Sequence, residues 1–139
     1  MSGLTPRSAT NGYGPYERNT SNGGPAAGDG SPIRLNGVGA AKGLGVHAAS
    51  TIVYRVPTGA TAFRADVGVD DECGAGGSVV FQVLVNGVKK YDSAVMRATT
   101  ATKAVVVPVA AGNSVSLRVT NAGDGSGCDH ADWANARFT

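Results

Sequence analysis

Ser78-Val-Val-Phe-Gln-Val-Leu-Val-Asn86-Gly87 is the stretch that decides the fold, because it is the longest predicted strand and it ends in a turn. Apolar residues occupy alternate positions from Val79 to Val85, which places them on one face of the strand. Val80 and Leu84 lie on the opposite face, so we expect both faces to be partly covered, as in a central strand. The pair Asn86-Gly87 is a strong signal for a tight hairpin turn that leads into an antiparallel neighbour.

Short valine-rich segments continue on both sides of this hairpin, separated by Gly, Asn, Asp and Pro. They give eight or nine predicted strands, at 33–36, 46–48, 51–56, 62–69, 78–86, 88–93, 104–109, 114–120 and 131–138. Without an amphipathic helical window, this pattern predicts an all-β fold: an antiparallel two-sheet β-sandwich of the jelly-roll type. Pro108 cannot donate to a strand ladder, so we expect its strand to lie at a sheet edge or to be bulged there. The loops 70–77 and 121–132 flank strands, and we expect them side by side at one rim.

The length of 139 residues is enough for one domain with a single core. The formal charge is only +2 and the basic residues are scattered, which argues against a nucleic-acid or membrane partner. The sequence also lacks an apolar stretch as long as a membrane span and the pattern of a signal peptide. We expect residues 1–4 to be a linker remnant or expression start, and residues 5–139 to form one monomeric domain.

The segment 5–32 has the composition of a loop, since it is rich in Gly, Asn, Ser, Thr and Pro. It nevertheless contains Tyr13, Tyr16 and the pair Glu17-Arg18. A disordered linker rarely contains two tyrosines so close to an acidic and a basic residue, so we expect an ordered loop that lies on the domain.

Chemically versatile side chains are concentrated in Asp124-Gly-Ser-Gly-Cys-Asp-His-Ala-Asp-Trp133, which contains one of two histidines, one of two cysteines and the only tryptophan. Cys73 lies in the other acidic, glycine-rich loop. A disulfide between Cys73 and Cys128 is therefore predicted, and it would fit an oxidising compartment. The alternative is two unpaired cysteines that both lie in loops.

Five fragments of the chain occur in an order and spacing found in one domain family. They are Asn11-Gly-Tyr-Gly-Pro-Tyr-Glu-Arg-Asn19, Lys42-Gly-Leu-Gly-Val-His-Ala48, Asp66-Val-Gly-Val-Asp-Asp-Glu72, Gly77-Ser-Val-Val-Phe-Gln-Val83 and Asp129-His-Ala-Asp-Trp133. With them the chain resembles the NPCBM domain, also classed as carbohydrate-binding module family 51, over nearly its whole length. The resemblance implies a non-catalytic, galactose-binding-like β-sandwich that is secreted or at the cell surface, is attached to a glycoside hydrolase, and binds galactose-terminated glycans, including blood-group structures. Tyr13 departs from the tryptophan common in the family, and the cysteine pair is not a general family feature.

A sugar site needs an aromatic face for the C–H patch of a pyranose and fixed polar groups for its hydroxyls. The candidates are Tyr13 and Trp133 for stacking, and Glu17, His47, Asp129 and His130 for hydroxyl contacts. Carboxylates accept hydrogen bonds from hydroxyls, and a neutral histidine both donates and accepts. Some candidates also have a structural interpretation: Trp133 as core, His47 as a buried histidine, and Glu17 as part of a surface ion pair. His130 is the main candidate.

The two acidic loops raise the question of a metal, because their carboxylates would repel one another at close quarters. Galactose-binding-like folds often carry a structural calcium ion, and glycine-rich loops present carbonyl oxygens readily. We therefore expect calcium with Asp70, Asp71 and Asp124 as ligands, although no stretch has the spacing of an EF-hand. Zinc is not expected, since no CxxC or HxxxH spacing occurs.

Two other functions are compatible with the residues. A small hydrolase could use Asp129 and Glu72 as its acid and base, but the chain has no nucleophile motif and no second domain that would form a cleft. A structural or adhesion β-sandwich with a degenerate sugar site is favoured by the change at Tyr13.

Overall fold

The computed structural model describes residues 1–73, 76–123 and 128–139, with the side chain of Cys73 outside the description. These ranges contain β-strands and one 3-10 turn, η1 (Asp71–Cys73). The strands are β1 (Ser8–Thr10), β2 (Glu17–Arg18), β3 (Ile33–Leu35), β4 (Val38–Ala40), β5 (Gly43–His47), β6 (Ser50–Arg55), β7 (Ala62–Val69), β8 (Ser78–Val85), β9 (Val88–Arg97), β10 (Lys103–Pro108), β11 (Ser114–Thr120) and β12 (His130–Phe138). None of the helical segments in the described ranges has the length and apolarity to cross a membrane.

Two antiparallel five-stranded sheets form the body of the molecule. Sheet A has the order β1-β6-β11-β8-β9, and sheet B has the order β10-β7-β12-β5-β2. Their inner faces share one hydrophobic core, which draws valines and aromatic residues from both sheets. The all-β two-sheet sandwich predicted from the sequence is therefore confirmed. The strand that ends at Pro108 is an edge strand, which is one of the two arrangements expected from its missing backbone donor.

The stretch 78–87 folds as its pattern predicts. Strand β8 lies between β11 and β9 in sheet A, and Val79, Phe81 and Val83 are fully buried. Asn86 and Gly87 have φ angles of 49° and 81°, which are the angles of a type I′ hairpin turn. The following strand β9 is longer than predicted, because it continues through two register irregularities to Arg97.

A short hairpin, β3–β4, forms a third layer on the outer face of sheet B. Ile33 and Leu35 are buried there in a small cluster with Ala134 of β12. The turn of this hairpin is Asn36-Gly37, again with positive φ angles, 52° and 81°. Only the first strand of this hairpin was expected, because Ile33-Arg-Leu35 alternates in polarity and Val38-Gly-Ala40 does not.

The segment 5–32 is ordered along one side of the sandwich, as expected. Strand β1 pairs with β6 and β2 pairs with β5. Between them, the amide of Gly12 donates to the carbonyl oxygen of His47 at 2.9 Å. Met1 also packs against the main core, so the first residues are in contact with the domain.

The two glycine-rich loops meet at one rim. The amide of Asp70 donates to the carbonyl oxygen of His130 at 2.8 Å, and the amide of Ser78 donates to the Asp129 carboxylate at 2.8 Å. A Cβ on Gly77 would overlap the carbonyl oxygen of Cys128. Their predicted adjacency is confirmed.

Candidate functional site

The two histidines of the chain face each other at this rim. His47 ends β5 and His130 begins β12, and the antiparallel register pairs them directly. Their rings meet edge to face with centroids 5.0 Å apart. Tyr13, from the loop after β1, meets the His47 ring in the same manner at 5.9 Å. Three rings from distant parts of the sequence thus form one row, which we call the ring row (Tyr13, His47 and His130).

Each imidazole of the ring row is held through its Nδ1 atom. Nδ1 of His47 lies 2.8 Å from the carbonyl oxygen of Ala48, and Nδ1 of His130 lies 2.7 Å from the carbonyl oxygen of Asn22. A carbonyl oxygen only accepts, so Nδ1 carries the proton in both neutral rings. Nε2 is then the acceptor of each ring, and the described residues supply no hydrogen bond to either Nε2.

The ring row leads from an open surface to a more enclosed one. Tyr13 is 49% exposed, whereas His47 is 8% exposed. The His130 side chain is 13% exposed, and Oε1 of Glu72 lies 3.9 Å from its Nδ1. The rim therefore presents an aromatic face, two imidazole acceptors and a carboxylate in sequence, which is the mixture of groups that a sugar requires.

Two asparagines hold the ring row in position. Asn11 accepts from the His47 amide at 2.9 Å and donates to Oδ1 of Asn22 at 2.7 Å. Asn22 is fully buried, and its Nδ2 donates to the carbonyl oxygen of Tyr13 at 3.0 Å. Sequence reasoning missed both residues, because an asparagine followed by glycine is typical of a turn. The family fragment that begins at Asn11 contains this residue but not Asn22, so it did not predict the network.

Gly12 allows the close approach that brings Tyr13 to His47. A Cβ at position 12 would overlap the carbonyl oxygen of Ala48, which is backbone and cannot move aside cheaply. Because position 12 has no side chain, the loop can lie against the end of β5, and this contact determines where Tyr13 lies.

Trp133 is not part of the rim. Its side chain is fully buried, and its ring meets Phe81 at 5.0 Å and Phe63 at 6.1 Å between centroids, both edge to face. A ligand at the surface cannot reach this ring, so the predicted stacking role of Trp133 is corrected. The physical reason is the alternation of β12, which turns Ala131 and Trp133 into the core.

Two predicted hydroxyl contacts are buried carboxylates with backbone partners. Glu17 is 5% exposed, and both of its oxygens lie 3.0 Å from the amide of Gly28. Asp129 is 1% exposed and accepts from the amide of Ser78. These carboxylates stabilise the loops around the rim, because a buried carboxylate needs hydrogen-bond donors from the protein. Their contact with sugar hydroxyls stays a prediction.

The acidic residues expected to bind calcium have other partners in the described part of the chain. Both oxygens of Asp71 accept backbone amides of the β3–β4 turn, at 3.0 and 2.8 Å. Asp70 likewise accepts two backbone amides, at 3.2 and 3.0 Å. No group of three or more His, Cys, Asp or Glu able to hold a metal occurs among the described residues. Asp124 lies outside them, so calcium stays a prediction.

Asp132 is a fully buried carboxyl group beside Asp70. Burial raises the pKa of Asp132 well above its usual range, and the neighbouring carboxylate of Asp70 raises this pKa further. Glu72 and Asp71 act in the same direction. The acidic side of the rim therefore favours a protonated Asp132.

Cys128 is disulfide-bonded, and no described cysteine is free. The side chain of Cys73 lies outside the described residues, so its pairing with Cys128 stays a prediction.

Comparison with known proteins identifies relatives over the whole chain. The model of the NPCBM/NEW2 domain matches residues 1–139. A protein of Renibacterium salmoninarum named for an endo-alpha-N-acetylgalactosaminidase is 43% identical over 129 residues, which are 93% of this chain and 8% of that protein. Alpha-1,3-galactosidase B of Akkermansia muciniphila is 33% identical over 106 residues, 74% of this chain and 13% of that protein. The chain thus spans a small part of the length of these relatives.

Solved structures with this fold include complexes with sugars. CBM51 from Clostridium perfringens GH95 in complex with methyl-galactose is 37% identical, with a TM-score of 0.89 and coverage of 99% of this chain and 97% of that one. A second structure contains CBM51-2 in complex with GlcNAc and INT domains from Clostridium perfringens ZmpB. It is also 37% identical, with a TM-score of 0.88 and coverage of 99% of this chain and 30% of that one.

Proposed function

The chain belongs to the NPCBM/NEW2 domain family, and from this premise we propose that it is a carbohydrate-binding module for galactose or galactose-terminated glycans, including blood-group-like structures. Two similar Clostridium perfringens modules are in complex with methyl-galactose and with GlcNAc, which supports a sugar ligand. The module holds the glycan and performs no reaction on it.

The ring row is the observation that carries this proposal. Tyr13 offers a half-exposed ring to the apolar C–H patch of a pyranose. The Nε2 atoms of His47 and His130 accept hydrogen bonds from sugar hydroxyls, because Nδ1 of each ring is already bonded to a carbonyl oxygen. Edge-to-face packing and the Asn11–Asn22 network fix these groups before the ligand arrives, which reduces the entropic cost of binding.

The module serves an appended glycoside hydrolase in a secreted parent protein. The curated relatives are named for glycosidase activities, and the chain corresponds to 8% and 13% of their lengths. By holding a galactose-containing glycan, the module, itself monomeric, raises the local concentration of substrate around the catalytic domain. A hydrolase activity of the module itself has little support, because Asp129 is buried and engaged by Ser78 and an acid–base mechanism needs two accessible carboxyl groups.

Calorimetric titration with methyl-galactoside tests the proposal, with glucose and mannose as controls. We expect methyl-galactoside to bind more tightly than either control sugar, because the fixed acceptors distinguish an axial from an equatorial hydroxyl. A folded sample that gives no response to any glycan at millimolar concentration would contradict the proposal and favour a structural or adhesion domain.

A further inference from the structure

A second cleft opens next to the ring row, on the side of Glu72. It has a volume of about 520 Å³ and is lined by Ser31, Pro32, Arg34, Asp71 and Glu72, among others. This volume falls within the range of about 300–1,000 Å³ that is usual for small-molecule sites. Because Oε1 of Glu72 lies 3.9 Å from Nδ1 of His130, the cleft adjoins the ring row on the Nδ1 side of the His130 ring.

The wall of this cleft is fixed by the β3–β4 hairpin. Ile33 and Leu35 are buried, so the alternation of β3 leaves Arg34 between them exposed. The amide of Arg34 donates to Asp70 at 3.2 Å, and Asp71 holds the turn of the hairpin through two backbone amides. Hydrogen bonds therefore hold the backbone on both sides of Arg34, and this backbone is already in place before a ligand binds.

Arg34 and Glu72 are the charged side chains of the cleft that the fold leaves available. The Arg34 guanidinium makes no hydrogen bond or ion pair with any described residue, whereas the Asp71 carboxylate is fully engaged with amides. A guanidinium only donates and a carboxylate only accepts, while a hydroxyl does both. An arginine and a glutamate that line one cleft therefore suit neighbouring hydroxyls of a neutral sugar.

We propose that this cleft is a subsite for the sugar residue to which the terminal galactose is attached. The inference rests on the proposed function, since the ring row must hold the terminal sugar. Arg34 donates to hydroxyls of the second sugar, and Glu72 stands between the two subsites. The glycan is then recognised as a disaccharide or a longer chain, and Arg34 determines which linkage is preferred.

The test compares methyl-galactoside with a panel of galactosyl disaccharides of different linkage by calorimetry. The proteins are the unchanged chain, Arg34→Ala, and Arg64→Ala as a matched control, because Arg64 is an exposed arginine of β7 that does not line the cleft. We expect at least one disaccharide to bind the unchanged chain about tenfold more tightly than methyl-galactoside, as one hydrogen bond to a charged group would give. Arg34→Ala should lose this gain and keep its affinity for methyl-galactoside, while Arg64→Ala should keep both.

Two results would overturn the subsite. Either no disaccharide binds the unchanged chain more tightly than methyl-galactoside does, or Arg34→Ala still binds a disaccharide more tightly than methyl-galactoside. If the unchanged chain binds neither methyl-galactoside nor any disaccharide, the proposed function fails as well, so the two failures are distinguishable. Thermal unfolding of Arg34→Ala serves as the folding control, and its midpoint should match that of the unchanged chain because the side chain is exposed.

Discussion

His130 uses one ring nitrogen for the fold and offers the other to a ligand. Nδ1 donates to the carbonyl oxygen of Asn22, so only Nε2 is available at the rim. His130→Asn retains an amide where Nδ1 lies and removes the acceptor at Nε2. We expect this variant to bind methyl-galactoside about tenfold more weakly with little change in thermal midpoint.

His130→Ala removes both nitrogens and is the comparison for that variant. Its affinity for methyl-galactoside should fall as much as that of His130→Asn. Its free energy of unfolding should also fall by about 1 kcal/mol, because the Asn22 carbonyl oxygen loses its hydrogen-bond donor. Calorimetry and thermal unfolding measure the two effects separately. Unchanged affinity in both variants would place the sugar site elsewhere.

Asn22 shows how a buried polar residue can position an exposed one. Its side chain bonds to Asn11 and to the carbonyl oxygen of Tyr13. We expect Asn22→Ala to lower the free energy of unfolding by about 1–3 kcal/mol, because a buried donor and acceptor lose their partner, and to weaken glycan binding. Asn113→Ala is the control, since Asn113 lies in the turn before β11, at the other end of β8; it should keep its affinity. Full affinity of Asn22→Ala would contradict the positioning role.

Asp132 gives the stability of the protein a dependence on pH. Its folded-state pKa is raised by burial and by Asp70, Glu72 and Asp71. Such a group does not change the free energy of unfolding below its unfolded-state pKa of about 3.9. As the pH rises from there through the raised folded-state pKa, it lowers the free energy of unfolding. We expect the free energy of unfolding to fall more steeply with pH in the unchanged chain than in Asp132→Asn. Urea unfolding from about pH 4 to pH 8, with a calcium chelator present, measures both slopes, and parallel curves would exclude Asp132 as the cause.

At the level of elements, the β3–β4 hairpin depends on glycines in the sheet beneath it. Gly43 has a φ of 153°, and a Cβ there would lie 2.7 Å from the Trp133 carbonyl oxygen and 2.9 Å from the Ile33 side chain. Ile33 can therefore approach strand β5 this closely only because position 43 has no side chain.

Gly43→Ala tests this contact. We expect it to lower the free energy of unfolding by about 1–3 kcal/mol, because the neighbouring carbonyl is backbone and cannot yield cheaply. Gly39→Ala is the matched control, since a Cβ at position 39 meets only the Ile33 carbonyl oxygen at an ordinary 3.7 Å; its effect should stay within about 0.5 kcal/mol. Urea unfolding measures the free energy of unfolding of both variants. Equal values for Gly43→Ala and Gly39→Ala would show that the hairpin tolerates the added methyl group at position 43.

At the level of the whole molecule, the rim joins segments that are far apart in the chain. The loop after β1, the end of β5, η1 and the start of β12 meet there through Tyr13, His47, Glu72 and His130. A covalent link near this junction would limit how far the segments separate in the unfolded chain.

The predicted disulfide between Cys73 and Cys128 is such a link, and it would enclose about 56 residues. The chain-entropy model gives about 4 kcal/mol of stabilisation for a loop of this length. We expect reduction to lower the free energy of unfolding by up to about that amount, as urea unfolding with and without reductant would measure. Intact-mass measurement after thiol labelling is the control, and two labelled thiols without reductant would refute the pairing.

The sequence by itself determined the fold class, because strand alternation and turn chemistry are local. The pattern of 78–87 predicts a buried strand and a hairpin, and both form because period-two burial and positive φ at Asn86-Gly87 need no distant information. Tyr13, His47 and His130 were also candidates from the sequence, through residue chemistry and the family fragments.

Only the tertiary structure decided which candidates reach the surface. Trp133 lies three residues after the rim residue His130 in the same strand, and it lies in the core because alternation places the two side chains on opposite faces and turns Trp133 inward against Phe81. Glu17 and Asp129 are polar by type but are enclosed, and their amide donors are Gly28 and Ser78, which lie 11 and 51 residues away in the chain. Burial and hydrogen-bond partners depend on long-range strand pairing, and no local pattern encodes them.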